Sequence, residues 1–254
     1  MYSLEQSIIK TFHMNKNNTA FSPQTFARIG GFAYLIIILA GLVGEMFIRN
    51  PLIVSGNAAA TAKNISENSF LWRIGIAGDV LMHVCDLILA IVYYTLLKPV
   101  NKRLAQLSLF FGLIQTAVLV ANKMNLVTPV LLQGNSEYLT SFTTEQLQSL
   151  TYLSLASHDY GLGLGFVFFG ISCIIDGYLF IKSTFLPKPL GIILQLAGIC
   201  YLVNSTTLLL FPQYSKNVFP IVFGPIAASE FAVCLWLIFK GVKLPEWNKM
   251  NEAQ

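Results

Sequence analysis

The sequence predicts an all-α membrane protein: six transmembrane helices in one bundle, with both N- and C-termini cytoplasmic. Three observations predict it. Of 254 residues, 55% are hydrophobic and only 11% charged, whereas soluble domains carry about 25% charged residues and need them to cover their surface. Six apolar runs each reach the roughly 20 residues that a helix needs to cross the hydrocarbon core. The basic residues fall in short clusters that alternate in density between these runs, the pattern of membrane topology.

The runs lie at roughly 26–48, 72–97, 105–127, 158–182, 190–211 and 220–242. Residues 1–25 form a polar tail, much longer than the n-region of a signal peptide, so the first run reads as an uncleaved span behind a cytoplasmic extension. Within that span Ala27 and Gly31 have the small-xxx-small spacing that lets helices approach closely. Residues 49–71 are polar, and AAATAKNI among them has helical propensity. NIS at Asn64 matches a glycosylation acceptor pattern, but a pattern this short arises often by chance. The second span ends before Pro99, and the basic loop KPVNKRL leads into the third.

In residues 133–157, Thr143 and Thr144 are helix-capping candidates, and Leu147, Leu150, Leu153 and Leu155 give an amphipathic stretch expected at the outer interface. The fourth span opens GLGLGFVFFG, with Gly161 and Gly165 in a GxxxG relation. Tight packing within the chain is the first reading of that face, and a homodimer through Gly161 and Gly165 the second. Pro187 and Pro189 punctuate the next loop, and residues 243–254 form a second cytoplasmic tail. No internal repeat, parallel or inverted, is evident.

With the N-terminus inside, the inner side carries Lys10, Lys16, Arg28, Lys98, Lys102, Arg103, Lys182, Lys188, Lys240, Lys243 and Lys249. The outer side has Arg49, Lys63, Arg73 and Lys216, which is 11 against 4, with Lys123 left inside the third span. Positive charge stays in the cytoplasm, so the expected location is the bacterial cytoplasmic (inner) membrane, crossed several times. The net charge of +4 is not gathered into one patch, so no nucleic-acid partner is expected; the lipid bilayer is. Cys85, Cys173, Cys200 and Cys234 all sit in apolar runs without CxxC spacing and read as small core residues.

Chemistry is expected where ionisable residues interrupt apolar spans. In AGDVLMHVCDLILA, Asp79, His83 and Asp86 share one helix face at i, i+4 and i+7. Two aspartates bring that span near break-even for insertion, because each costs about 2.5–3.5 kcal/mol and each large aliphatic returns about 0.3–0.6. At 1.5 Å rise per residue, His83 and Asp86 fall near the midplane with Gln115 and Glu230. Together with Asp79 they form the expected ligand pocket. Glu45, Asn122, Lys123, Asn125, His158, Asp159 and Asn204 form an outer polar layer, in which Asp79 and Lys123 are expected to pair. Asp176 is expected to snorkel or face a loop near the inner interface.

No metal or other cofactor is expected. The metal alternative uses Asp79, His83 and His158, as in an intramembrane metal-dependent hydrolase. No GxSxG, HExxH, P-loop or GxGxxG motif stands in a fitting context.

The runs TAKNI, GDVLMHVCDLILAIVYYTLLKPVNKRLAQLSLFFGLIQT, FFGISCIIDGYLFIKSTFLPKPLGIILQLAGICYL and SEFAVCLWLIFKG resemble a bacterial membrane family catalogued as domain of unknown function (DUF) 4386. The resemblance covers Arg28 to Gly241. It implies a multi-span protein of no assigned activity, with Arg28, Asn64, Asp79, Asp86, Pro99, Asn101, Gly170, Gly177, Leu186, Pro187, Gly191 and Glu230 matching the family pattern. Gly112 departs from it where a basic residue is expected, and Pro189 departs too. The functional expectation is a non-enzymatic, small-molecule or lipid-binding or permease-like bundle with an outward-facing polar pocket. A structural partner in a membrane complex is a further alternative.

Overall fold

The computed structural model describes residues 22–134 and 136–253. The expectations for residues 1–21, including the tail and the sidedness of Lys10 and Lys16, lie outside the described residues. Every regular element among those described is a helix.

Helix α1 runs Pro23–Leu52. Ser22 caps it by accepting from the Thr25 amide, and Pro23 supplies a preset φ at the first position. Helix α2, Ala58–Glu67, is capped by Asn57, and α3 runs Ser69–Leu97. Helix α4 spans Lys102–Leu131, capped by Asn101, with a hitch at Lys123 where its α-helical geometry breaks. Helix α5 runs Thr144–Lys182 behind a capping box of Thr143 and Gln146. Helix α6 is Lys188–Leu210, α7 is Pro212–Phe239 and α8 is Leu244–Glu252. Six of these, α1 and α3 to α7, are long and apolar enough to cross a membrane.

The amphipathic stretch of Leu147, Leu150, Leu153 and Leu155 leads into the fourth span as the first turns of α5. That helix has 39 residues, about 58 Å at 1.5 Å per residue, against a hydrocarbon core of about 30 Å. The helix packs on α2 and the end of α4 as well as on the spanning helices. Thr151, Ser154 and Leu155 in its N-terminal part are buried.

The spanning helices pack in chain order: α1 on α3, α3 on α4, α4 on α5, α5 on α6, α6 on α7, and α7 back on α1. The result is a closed ring. Its two ends are distinct. At one, the Gln24 side chain donates to Lys240 O and accepts from the Val242 amide, both at 3.0 Å. Lys243 N donates to Phe185 O at 3.2 Å, and the Trp247 indole donates to Leu96 O at 3.0 Å. Gly241, at φ 65°, makes the turn that brings this segment back under α1. The start of α1, the 98–101 and 183–187 connections and α8 therefore share one end, together with Arg28, Lys98, Lys102, Arg103, Lys182 and Lys188.

That basic end is solid. Leu96, Leu97, Leu179, Phe180, Phe185 and Leu237, all 2% exposed or less, belong to one apolar cluster there. At the opposite end α2 ties into a smaller cluster of Ile48, Leu52, Ile65, Trp72, Leu126 and Leu155. The large apolar side chains that remain exposed, such as Phe47, Phe70, Ile221 and Phe239, suit contact with lipid.

Helices α5 and α6 meet through two reciprocal glycine pairs. A Cβ at Gly170 would lie 2.8 Å from Gly198 O, and one at Gly198 would lie 2.6 Å from Gly170 O. Gly177 and Gly191 stand in the same relation at 2.6 and 2.5 Å. The backbones touch, which is how small residues substitute packing for hydrophobic drive within a membrane. The Gly161 and Gly165 face, read first as a packing face within the chain and second as a homodimer surface, is occupied within the chain. A Cβ at Gly161 would lie 2.0 Å from Asn122 Oδ1, and one at Gly165 would lie 2.4 Å from Leu119 Cδ2. Helix α4 covers that face because only glycine lets it come so close.

Gly191→Val should lower stability by at least about 1–3 kcal/mol, the cost of overpacking a filled contact. Gly224→Ala, where a Cβ meets nothing within 4 Å, should be tolerated. Thermal unfolding of both variants in one detergent checks the contrast; equal midpoints would mean that the α5–α6 contact is slack.

Candidate functional site

The last two turns of α1 are π-helical over Val43–Arg49. A π-segment inserts a residue and turns the side chains after it to a new face. Here it presents Glu45 and Arg49 to the bundle. Gly44 supplies the room, since a Cβ there would lie 2.9 Å from an Arg49 guanidinium nitrogen. Arg49 Nε donates to Glu45 Oε2 at 2.8 Å, and its Nη1 donates to Asp79 Oδ2 at 2.9 Å. Lys123 Nζ reaches the same Asp79 oxygen at 3.2 Å and His158 Nε2 at 3.4 Å.

Asp79 is 0% exposed, Lys123 5% and Arg49 8%, so the group is a buried network joining α1, α3, α4 and α5. Its two carboxylates and two side-chain cations balance. The expected Asp79–Lys123 pair is present. Arg49, which the sequence suggests is an outer-loop cation, is the unforeseen partner; its i, i+4 spacing from Glu45 is the signal that points to it.

Beside this network the ring encloses a cavity of about 510 Å³. Helix α3 contributes His83 and Asp86, whose Nδ1 and Oδ2 are 2.8 Å apart. Helix α4 contributes Ser108 and Gln115, and α5 contributes Ser172 and Asp176. The two serine hydroxyls share a hydrogen bond of 2.8 Å, and Ser172 Oγ lies 3.5 Å from Asp176 Oδ2. Helix α6 brings Tyr201 and Asn204, and α7 brings Glu230, which accepts a hydrogen bond from the Tyr201 hydroxyl. The Tyr201 ring is wedged against Phe169 and Phe166, with centroids 4.9 and 5.1 Å away. His83 Nε2, Asp176 Oδ1 and the Tyr93 hydroxyl are buried without a partner.

Of the residues expected in the pocket, His83, Asp86, Gln115 and Glu230 line this one cavity. Asp79 does not, because Arg49 and Lys123 hold it aside. From the expected outer layer, Glu45 and Asn204 line the cavity, whereas Lys123 and His158 belong to the ion network. Asn122 donates to His158 O at 2.9 Å and accepts from Asn125. The Asp159 side chain is 71% exposed.

Asp176 is the clearest correction. It neither snorkels nor faces a loop, but is 5% exposed and lines the cavity. The i, i+4 hydroxyl of Ser172 is the cue in the sequence. The residues of the metal alternative are committed elsewhere: Asp79 to Arg49 and Lys123, His83 to Asp86, His158 to Lys123. Among the described residues no group of three His, Cys, Asp or Glu is placed to hold a metal ion.

Asp79→Asn strands two buried cations and should cost about 3–5 kcal/mol. Adding Lys123→Met should cost less than the sum of the single changes, since the two residues share one network. A double-mutant cycle of unfolding free energies in detergent checks the coupling, and simple additivity would refute it.

Comparison with known proteins adds a family and no chemistry. The family described as "Domain of unknown function (DUF4386)" matches residues 29–241. An uncharacterized protein of Archaeoglobus fulgidus is 29% identical over 174 residues, covering 67% of this chain and 86% of that protein. No solved structure matches.

Proposed function

The chain belongs to the DUF4386 family, and from its geometry we propose that it is a non-enzymatic, permease-like bundle that binds a small molecule or lipid in an outward-facing pocket. The observation that carries this reading is the cavity within the helix ring. Its volume of about 510 Å³ falls in the range of small-molecule sites, and such sites pair apolar walls with a few converging polar groups. The side chains of His83, Asp86, Asp176, Tyr201 and Glu230 are the converging groups.

The non-enzymatic part of this reading comes from the sequence, in which no GxSxG, HExxH, P-loop or GxGxxG motif stands in a fitting context.

Direction follows from the two ends. On this reading the basic end faces the cytoplasm, as the positive-inside tendency favours, with both termini on that side, about 26–242 as the membrane domain, and the bacterial cytoplasmic membrane as the location. The cavity lining starts near the other end at Glu45, Asn50 and Asn204 and reaches Tyr94, Ala105 and Asp176. Beyond these the apolar cluster of Leu96, Phe180 and Leu237 fills the ring. The pocket is thus open to the outside and closed below.

Ala227 lines the cavity, so Ala227→Cys in a Cys173→Ser background tests this arrangement. It should react with a membrane-impermeant thiosulfonate in right-side-out vesicles and react poorly in inside-out ones. Leu190→Cys, set in the apolar cluster, should react in neither. No reaction at Ala227→Cys from outside, or equal reaction from both faces, would defeat the outward-facing pocket.

A further inference from the structure

The cavity lining is rich in carboxyls, and His83, 2.8 Å from Asp86, is its one basic side chain among the described residues. Four carboxyl groups line it, those of Glu45, Asp86, Asp176 and Glu230, and among the described residues no lysine or arginine does. The nearest lysine and arginine, Lys123 and Arg49, are held by Asp79, and Arg49 also answers Glu45, which leaves Asp86, Asp176 and Glu230 without either. Besides the Tyr93 hydroxyl, two polar atoms of the lining have no partner among the described residues. One is Asp176 Oδ1, on a residue 5% exposed; the other is His83 Nε2, on a residue 2% exposed. In the tautomer whose Nδ1–H donates to Asp86, His83 Nε2 is an acceptor. Buried polar atoms of this kind ordinarily find a partner.

The opening has its own chemistry. Every lining residue that is exposed comes from α1 or α7: Glu45, Met46 and Asn50 from one, Phe219, Phe223 and Phe231 from the other. These helices hold together toward the basic end, where Cys234 meets the Gly31 carbonyl. In their outer halves they flank the cavity with aromatic and thioether side chains. Phe223 is 45% exposed, Phe219 52% and Met46 57%. Such a slot faces the hydrocarbon of the outer leaflet, and aromatic faces attract organic cations.

Resting on the pocket reading above, we propose that the ligand is an amphipathic ammonium, a primary or secondary amine on an apolar body. It enters sideways between α1 and α7 and sets its N–H donors among Asp86, Asp176, Glu230 and His83 Nε2. An anionic amphiphile would meet Asp86, Asp176 and Glu230, with no lysine or arginine among the described lining residues. A neutral one would leave the acceptors partly unanswered.

The test uses the full chain in phosphatidylcholine nanodiscs, with empty nanodiscs as the partition blank, and titrates four probes of one apolar body by calorimetry. They are 4-phenylbutylamine, its N,N,N-trimethyl derivative, 4-phenylbutanol and 4-phenylbutyrate. The amine should bind saturably and about tenfold or more tighter than the alcohol or the carboxylate, as a charge-assisted hydrogen bond implies. The trimethyl derivative, which keeps the charge and lacks N–H, should bind more weakly than the amine. Asp176→Asn and Glu230→Gln should each weaken the amine about tenfold and leave the alcohol unchanged.

If the carboxylate or the alcohol binds as tightly as the amine, the ammonium assignment is overturned while the pocket stands. The assignment is overturned in the same way if both folded variants keep full affinity for the amine. If no probe binds saturably, the pocket reading falls with it. Should a variant not fold, the four-probe series on the unaltered chain still decides the ligand class.

Discussion

Asp79 is the constraint around which the outer half of this bundle is arranged. A carboxylate with no exposed surface must be answered within the protein, since the alternative is an uncompensated charge in a medium that cannot solvate it. Arg49 and Lys123 answer it through one oxygen. Bringing Arg49 inward requires the π-segment of α1 and the absence of a side chain at Gly44. Bringing Lys123 inward coincides with the hitch in α4. Three helices are thereby fixed in rotation and depth, and α5 joins them through His158.

The inner half solves a different problem. Its apolar side chains gain little from meeting each other when lipid is equally apolar, so close backbone contact has to supply cohesion. The paired glycines of α5 and α6 do this, and the cluster around Phe180 and Leu237 fills what remains. Between a charged network at one end and a packed plug at the other, the ring leaves space. The polar groups that neither solution absorbs, His83, Asp86, Asp176, Tyr201 and Glu230, line that space. Asp86, Asp176 and Glu230 are left without Arg49 or Lys123 because Asp79 and Glu45 have taken them.

Some of this is legible in the residues. The face shared by His83 and Asp86 follows from helical periodicity, and depth counting puts Gln115 and Glu230 at their level. The same counting cannot separate Asp79 from the pocket, because it does not say which direction a helix face points. Arg49 looks like a loop residue because a π-segment carries its span further than hydropathy indicates. Asp176 looks exposed because it lies close to an interface, and only the neighbouring helix shows that it is covered. The face of Gly161 and Gly165 is legible as a close contact, but its occupant, α4 of the same chain, is not.

By itself the sequence determined the helical architecture, the number of helices able to cross a membrane and the imbalance of basic residues between their connections. These depend on composition and periodicity along the chain, which are local quantities. Only the tertiary structure decided the closure of α7 onto α1, the partition of carboxyls between ion network and cavity, and the slot between α1 and α7. Those depend on how each helix is rotated about its axis, and rotation is set by contacts between residues far apart in the chain.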